Sequence, residues 1–197
     1  TVSATSIHII EELTNIPVFE VITPPSEMAA GTTRNLNIGI IGTRRTIESH
    51  AYQDYLLKLN PELKLHAIPT PLLVPLVEEN ILEGRIPLQV IEHYLLPLKG
   101  KIDTLILGCT HYPLLKPAFT SFFGADVHIV DSAFAVAQKV ARYIHVNHLN
   151  GPLKHLGTCE YFVSDPVTDF VRLAPQFTGG SIQNCRVVDL TELYYGK

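Results

Sequence analysis

Asp103-Thr104-Leu105-Ile106-Leu107-Gly108-Cys109-Thr110-His111-Tyr112-Pro113 is the stretch from which the fold can be read. Its first five residues are largely apolar and do not alternate with polar ones, as expected of a parallel strand covered on both faces. Such a strand delivers the chain to Gly108 and Cys109 at its carboxyl end, where open α/β sheets hold ligands and helix N-termini offer free backbone N–H groups. A thiol placed there can have its thiolate stabilised by N–H donors or by a protonated imidazole. His111 follows closely, with the Thr110 hydroxyl between them. These are the parts of an acid/base or nucleophilic site. The plain alternative is a small buried cysteine beside a structural histidine.

The same alternation of elements extends outward in both directions. Thr1 or Ser3 can cap a helix with apolar positions Ile7, Ile10 and Leu13. Pro17 stops it, and a short strand is expected over 18–22. After a polar loop at 32–35 come a buried strand over 38–41, a helix over 46–59 and a strand over 64–68. Pro69-Thr70-Pro71 breaks the chain before a helical stretch containing Leu73, Val77 and Leu82. Pro87 suits the first turn of a helix running to Leu96.

Beyond the quoted stretch, a helix from about Leu114 and a strand over 127–130 are expected. Asp131-Ser132 then caps a long helix reaching His145. A connecting loop at 147–157 precedes strands at 160–163 and 186–188, which flank a helix over 167–173. The class is α/β throughout. The chain also starts on a helix cap without a strand to feed it, which points to a segment upstream.

Composition narrows the function classes. With 197 residues, 46% hydrophobic and 17% charged, the chain can bury a sizeable core. No run approaches the roughly 18 apolar residues of a membrane helix, and no secretory signal opens the chain. A cytoplasmic protein with no membrane partner is the expectation. The net charge of -4, with 15 scattered Lys and Arg, provides no basic stripe for phosphates, so nucleic acid is not an expected partner. Three cysteines without paired short spacing argue against a disulfide framework and a Cys-rich zinc site. Cys159 and Cys185 read as small core residues. His8 and His50 fall on expected helices and are read as facing solvent.

The run 107–114, Leu-Gly-Cys-Thr-His-Tyr-Pro-Leu, resembles the second cysteine motif of glutamate racemases, within the aspartate/glutamate racemase family. Thr1-Val2-Ser3-Ala4 resembles the tail of the first motif, Cys-Asn-Thr-Ala-Ser-Ala, with Val in place of Ala. The resemblance continues at Ile41-Gly42-Thr43 with Thr46 and Tyr52, at Pro75-Leu76-Val77-Glu78, and at Val163-Ser164-Asp165-Pro166 with Phe170. It implies two similar α/β domains with mostly parallel sheets and an active site in the cleft between them. Residues 23–132 would form the complete second domain. Residues 1–22 and 133–197 would be the remainder of an incomplete first domain, with a Cys-Asn pair immediately before Thr1.

The resemblance also implies a chemistry. Inverting an α-carbon takes a base on one face and an acid on the other, and the family supplies them as two cysteines without metal or pyridoxal phosphate. Carried over, Cys109 is one acid/base cysteine. Thr110 and His111 contact substrate, and His111 also handles protons. Thr1 matches a substrate-binding threonine, the plain alternative being a helix cap. Glu78 lies near the substrate, although its neighbour Glu79 could be presented instead and either could be an ordinary solvated carboxylate. The implied substrate is glutamate, supplying D-glutamate for peptidoglycan, and the implied assembly is a homodimer. Two other readings remain: a racemase of a related amino acid such as aspartate, and a catalytically dead binding module that keeps one cysteine.

Overall fold

The computed structural model describes residues 2–149, 151, 158–165 and 167–189. Two compact units emerge, Thr1–Leu149 and Asn150–Lys197. In the first, α1 (Val2–Leu13) and α2 (Thr23–Thr32) lead into β1 (Asn37–Gly42). Helices α3 (Arg44–Glu48) and α4 (Ala51–Leu59) cross to β2 (Lys64–Pro69), and α5 (Leu73–Glu78) and α6 (Arg85–Leu95) cross to β3 (Thr104–Leu107). A 3₁₀ turn (Tyr112–Leu115) and α7 (Lys116–Phe123) lead to β4 (His128–Asp131), and α8 (Ser132–Val146) follows directly. All four strands are parallel, in the order β2-β1-β3-β4.

Each strand sends alternate side chains into two separate cores, the period-2 geometry of a pleated sheet. Ile41, Leu105, Leu107 and Ile129 face a core shared with α5, α6 and α7. Ile38, Ile40, Ile106 and Val130 face the other, which contains Ala29 of α2 and Leu56 of α4. With both faces covered, the strands carry apolar residues at successive positions, so the expectation for β3 holds. Each of its four residues is buried.

Several local expectations need correction. No strand forms over 18–22. The Glu20 carboxylate instead accepts the N–H groups of Ile22 and Thr23 and the Thr23 hydroxyl, turning the chain into α2. Helix α2 itself has no counterpart in the sequence reading. Its Pro24 and Pro25 stand in the first turn, where missing N–H groups cost nothing. The helix expected over 46–59 is two helices, broken by His50 in the left-handed region at φ 57°. The stretch containing Leu82 stops at Glu78. The cap expected at Asp131 is present: its Oδ1 accepts from the N–H groups of Ala133 and Phe134 at 2.8 and 3.2 Å.

The second unit pairs β5 (Tyr161–Val163) and β6 (Cys185–Val187) in parallel, with α9 (Val167–Thr178) between them in sequence. α9 runs past the expected end at 173 and through Pro175. Cys159 is exposed and Cys185 half-buried, so Cys159 is not a core residue. Among the described residues no helix is long and apolar enough to cross a membrane.

Candidate active site

In the order β2-β1-β3-β4, the crossover from β1 leads outward to β2 and the next returns past β1 to β3. The carboxyl ends of β1 and β3 therefore form the crevice where connections leave in opposite directions, the usual ligand position in such sheets. The Gly108 N–H donates to the Ile41 carbonyl at 2.7 Å, extending the pairing one residue beyond β3. A Cβ on Gly108 would stand 2.7 Å from that carbonyl oxygen and 3.0 Å from the Tyr52 ring, so the turn tolerates only glycine without rearrangement. Cys109 emerges immediately after it.

A cavity of about 220 Å³ opens there, lined by Val21, Thr43, Thr46, Val74, Gly108, Cys109, Thr110, His111 and Ser132. The Cys109 sulfur lies 3.8 Å from His111 Nδ1. His111 Nε2 lies 3.5 Å from Glu78 Oε1, at the end of α5. Thiol, imidazole and carboxylate thus form a chain across three consecutive groups. Burial pushes the Cys109 thiol above its usual range and the Glu78 carboxylate adds to the shift, while backbone N–H groups of His111 and Tyr112 pull the other way. At neutral pH the resting sulfur is a thiol, a ready acid, and needs a proton acceptor to become a base.

Tyr112 anchors the loop. Its hydroxyl accepts from Thr70 Oγ1 at 2.8 Å and donates to the Thr70 carbonyl at 2.9 Å, both fully buried. That exchange fastens the Cys109 loop to the end of β2, so His111 is held from behind.

Of the residues singled out in the sequence, Cys109, Thr110, His111 and Glu78 come together here, and Glu78 rather than Glu79 lies within reach of the imidazole. Thr1 lies outside the described residues, as does Pro166 of the expected closing segment. Thr43, Thr46, Val21 and Ser132 were not singled out as site residues. Thr43 and Thr46 share a hydroxyl contact of 2.9 Å at the start of α3. Their position directly after β1 was the available signal, because any residue following a switch-point strand is a lining candidate.

A larger open depression of about 580 Å³ lies at the opposite ends of the strands, between Arg34, Asp103, Lys116 and His128. Arg34, Lys116 and His128 are exposed there, and no cysteine lines it. The smaller cavity has the chemistry. Among the described residues no group of three His, Cys, Asp or Glu side chains is placed to hold a metal ion.

Residues 2–140 match the Asp/Glu/Hydantoin racemase family. The glutamate racemase of Syntrophus aciditrophicus is 37% identical over 191 residues, covering 96% of this chain and 71% of the relative. A glutamate racemase isoform from Bacillus anthracis superposes with a TM-score of 0.86 at 34% identity, over 95% of this chain and 70% of that one. The glutamate racemase of Francisella tularensis, solved in complex with D-glutamate, gives a TM-score of 0.86 at 29% identity, over 96% and 70%.

Proposed function

Because the chain belongs to the glutamate racemases of the aspartate/glutamate racemase family, we propose that its protein interconverts L- and D-glutamate by cofactor-independent proton transfer between two cysteines. Cys109 is one of them. The observation that carries this reading is the Cys109–His111–Glu78 chain at the carboxyl end of β3. The glutamate bound to the Francisella tularensis relative supports the choice of substrate.

The geometry supports a role for each residue. As acid, the Cys109 thiol returns a proton to one face of the α-carbon. As base, its thiolate forms when the proton passes toward His111 Nδ1, and Glu78 stabilises the imidazolium. Thr43, Thr46 and Thr110 line the cavity beside Cys109 and are assigned to hold the charged groups of an amino acid; the family resemblance adds Thr1. The second cysteine is expected immediately ahead of Thr1, so residues 1–197 alone should not turn over. The division into 23–132 as second domain and 1–22 with 133–197 as first, with the cleft between them, belongs to this reading. So do a cytoplasmic location, a homodimer and a role in supplying D-glutamate to the cell wall.

Circular dichroism on the full-length protein tests the reading. Glutamate should racemise in both directions, and Cys109→Ala should lower kcat by about 10²–10⁴-fold, the usual worth of a positioned acid or base. Both directions need the cysteine pair with one proton between its two sulfurs, and they connect enantiomers of equal free energy, so kcat/KM should follow one and the same pH profile in both directions. Because the folded Cys109 thiol titrates above its ordinary range, the limb on which the pair loses that proton should lie on the alkaline side, and profiles that diverge between directions would contradict the scheme. Absence of turnover, preference for aspartate, or full activity in Cys109→Ala would each overturn the proposal.

A further inference from the structure

Val21 lies between α1 and α2, where no helix or strand supplies partners for its backbone. Two distant side chains take up its polar groups instead. Its N–H donates to Ser3 Oγ on α1 at 3.3 Å. Its carbonyl accepts from the Tyr52 hydroxyl of α4 at 2.9 Å. The Tyr52 ring is 1% exposed and lies against Gly108, close enough that an added Cβ there would meet it at 3.0 Å. Val21 and Gly108 both line the Cys109 cavity. One side chain therefore touches two parts of the same cavity wall, its ring supporting the cysteine turn and its hydroxyl holding the facing segment.

A buried tyrosine suits such a task. With only two side-chain torsions, a ring held by packing fixes its hydroxyl at a constant reach. Val21 cannot shift away from Cys109 without its carbonyl losing the Tyr52 hydroxyl. Through Ser3 the same residue is tied to the first turns of α1. Among the described residues, the Tyr52 hydroxyl is the side-chain group that bonds the Val21 carbonyl.

We infer that Tyr52 is a positioning residue that spaces Val21, and with it the start of α1, from the Cys109 loop. Its catalytic consequence rests on the racemase reading, since the resemblance puts the first cysteine motif at the start of α1. The two cysteines of an inverting enzyme must face the α-carbon from opposite sides at a fixed separation, and misplacement by an ångström can cost about a hundredfold in rate.

Alkylation by iodoacetamide, followed residue by residue by peptide mass spectrometry, tests the spacing on residues 1–197 without requiring turnover. Tyr52→Phe should raise the Cys109 rate several-fold, leave Cys159 and Cys185 at parental rates, and preserve the folded circular-dichroism spectrum. Ser3→Ala, which releases the other end of the Val21 bridge, should act in the same direction and serves if Tyr52→Phe does not fold. In the full-length protein, Tyr52→Phe should lower kcat about ten- to a hundredfold, with KM changed little because substrate contacts remain. Parental Cys109 alkylation in a folded variant overturns the inference. Faster alkylation in the variants together with an inactive full-length parent would overturn the racemase reading and leave the spacer standing.

Discussion

The two parallel sheets are made of similar residues and meet water differently. Thr104, Leu105, Ile106 and Leu107 of β3 are all buried, whereas Phe162 of β5 and Val187 of β6 are each 56% exposed. In the larger sheet, crossover helices form a core on each face. In the smaller one, a single helix, α9, connects the two strands, and side chains on the strands stay open. Parallel pairing alone does not exclude water. Covering both faces does, and an apolar strand sequence cannot say whether its covers are present.

That contrast can be pressed to failure with residues 1–197 in urea. Ile106→Ala removes a fully buried side chain from the centre of the sheet and should cost about 2–5 kcal/mol. A loss comparable to that of an exposed position would mean the cores on either side are not closely packed.

The polar rims should separate next. Asp103, just before β3, accepts from Thr33 Oγ1 and from the N–H groups of Arg34 and Asn35, each at 2.7 Å. Partial burial works against its charge, but these bonds and one from Thr104 outweigh it and hold the carboxyl below its usual range. Asp103→Asn should therefore cost about 1–2 kcal/mol at neutral pH. A lowered folded pKa contributes stability that is present above the unfolded value near 3.9 and is lost as pH falls through the folded one. The gap between parent and variant should narrow under acid, and a gap that widens there would contradict the assignment.

The smaller sheet should respond least. Arg186 and Glu160 form an exposed pair at 3.6 Å, and Arg186 also lies 5.9 Å from the Phe162 ring centroid. Arg186→Ala should change unfolding by about 0–1 kcal/mol, as expected of surface ion pairs. A larger loss would show that β5 and β6 are structurally more than an open pair.

The same contrast governs what could be read in advance. β1, β3, β4 and the Asp131 cap were legible because apolar runs and a capping carboxylate are local signals. The Cys109 motif was legible because Gly108, Cys109 and His111 sit together in sequence as well as in space. Glu78 was only half legible: its side chain reaches His111 across 33 positions, and nothing local separates it from Glu79. Helix α2 was hidden by Pro24 and Pro25, which act as breakers everywhere except in a first turn. The strand expected over 18–22 failed because Glu20 spends its carboxylate on α2 and Val21 finds partners in Ser3 and Tyr52. The Val21 bonds join residues 18 and 31 positions apart, whereas the Glu20 bonds are local and compete with the extended conformation its apolar neighbours suggested.

The Tyr112–Thr70 exchange spans strands that are not neighbours, since β1 lies between β2 and β3. It therefore makes the position of the Cys109 loop depend on three strands at once: the loop is clamped only while β2 and β3 are both paired with β1.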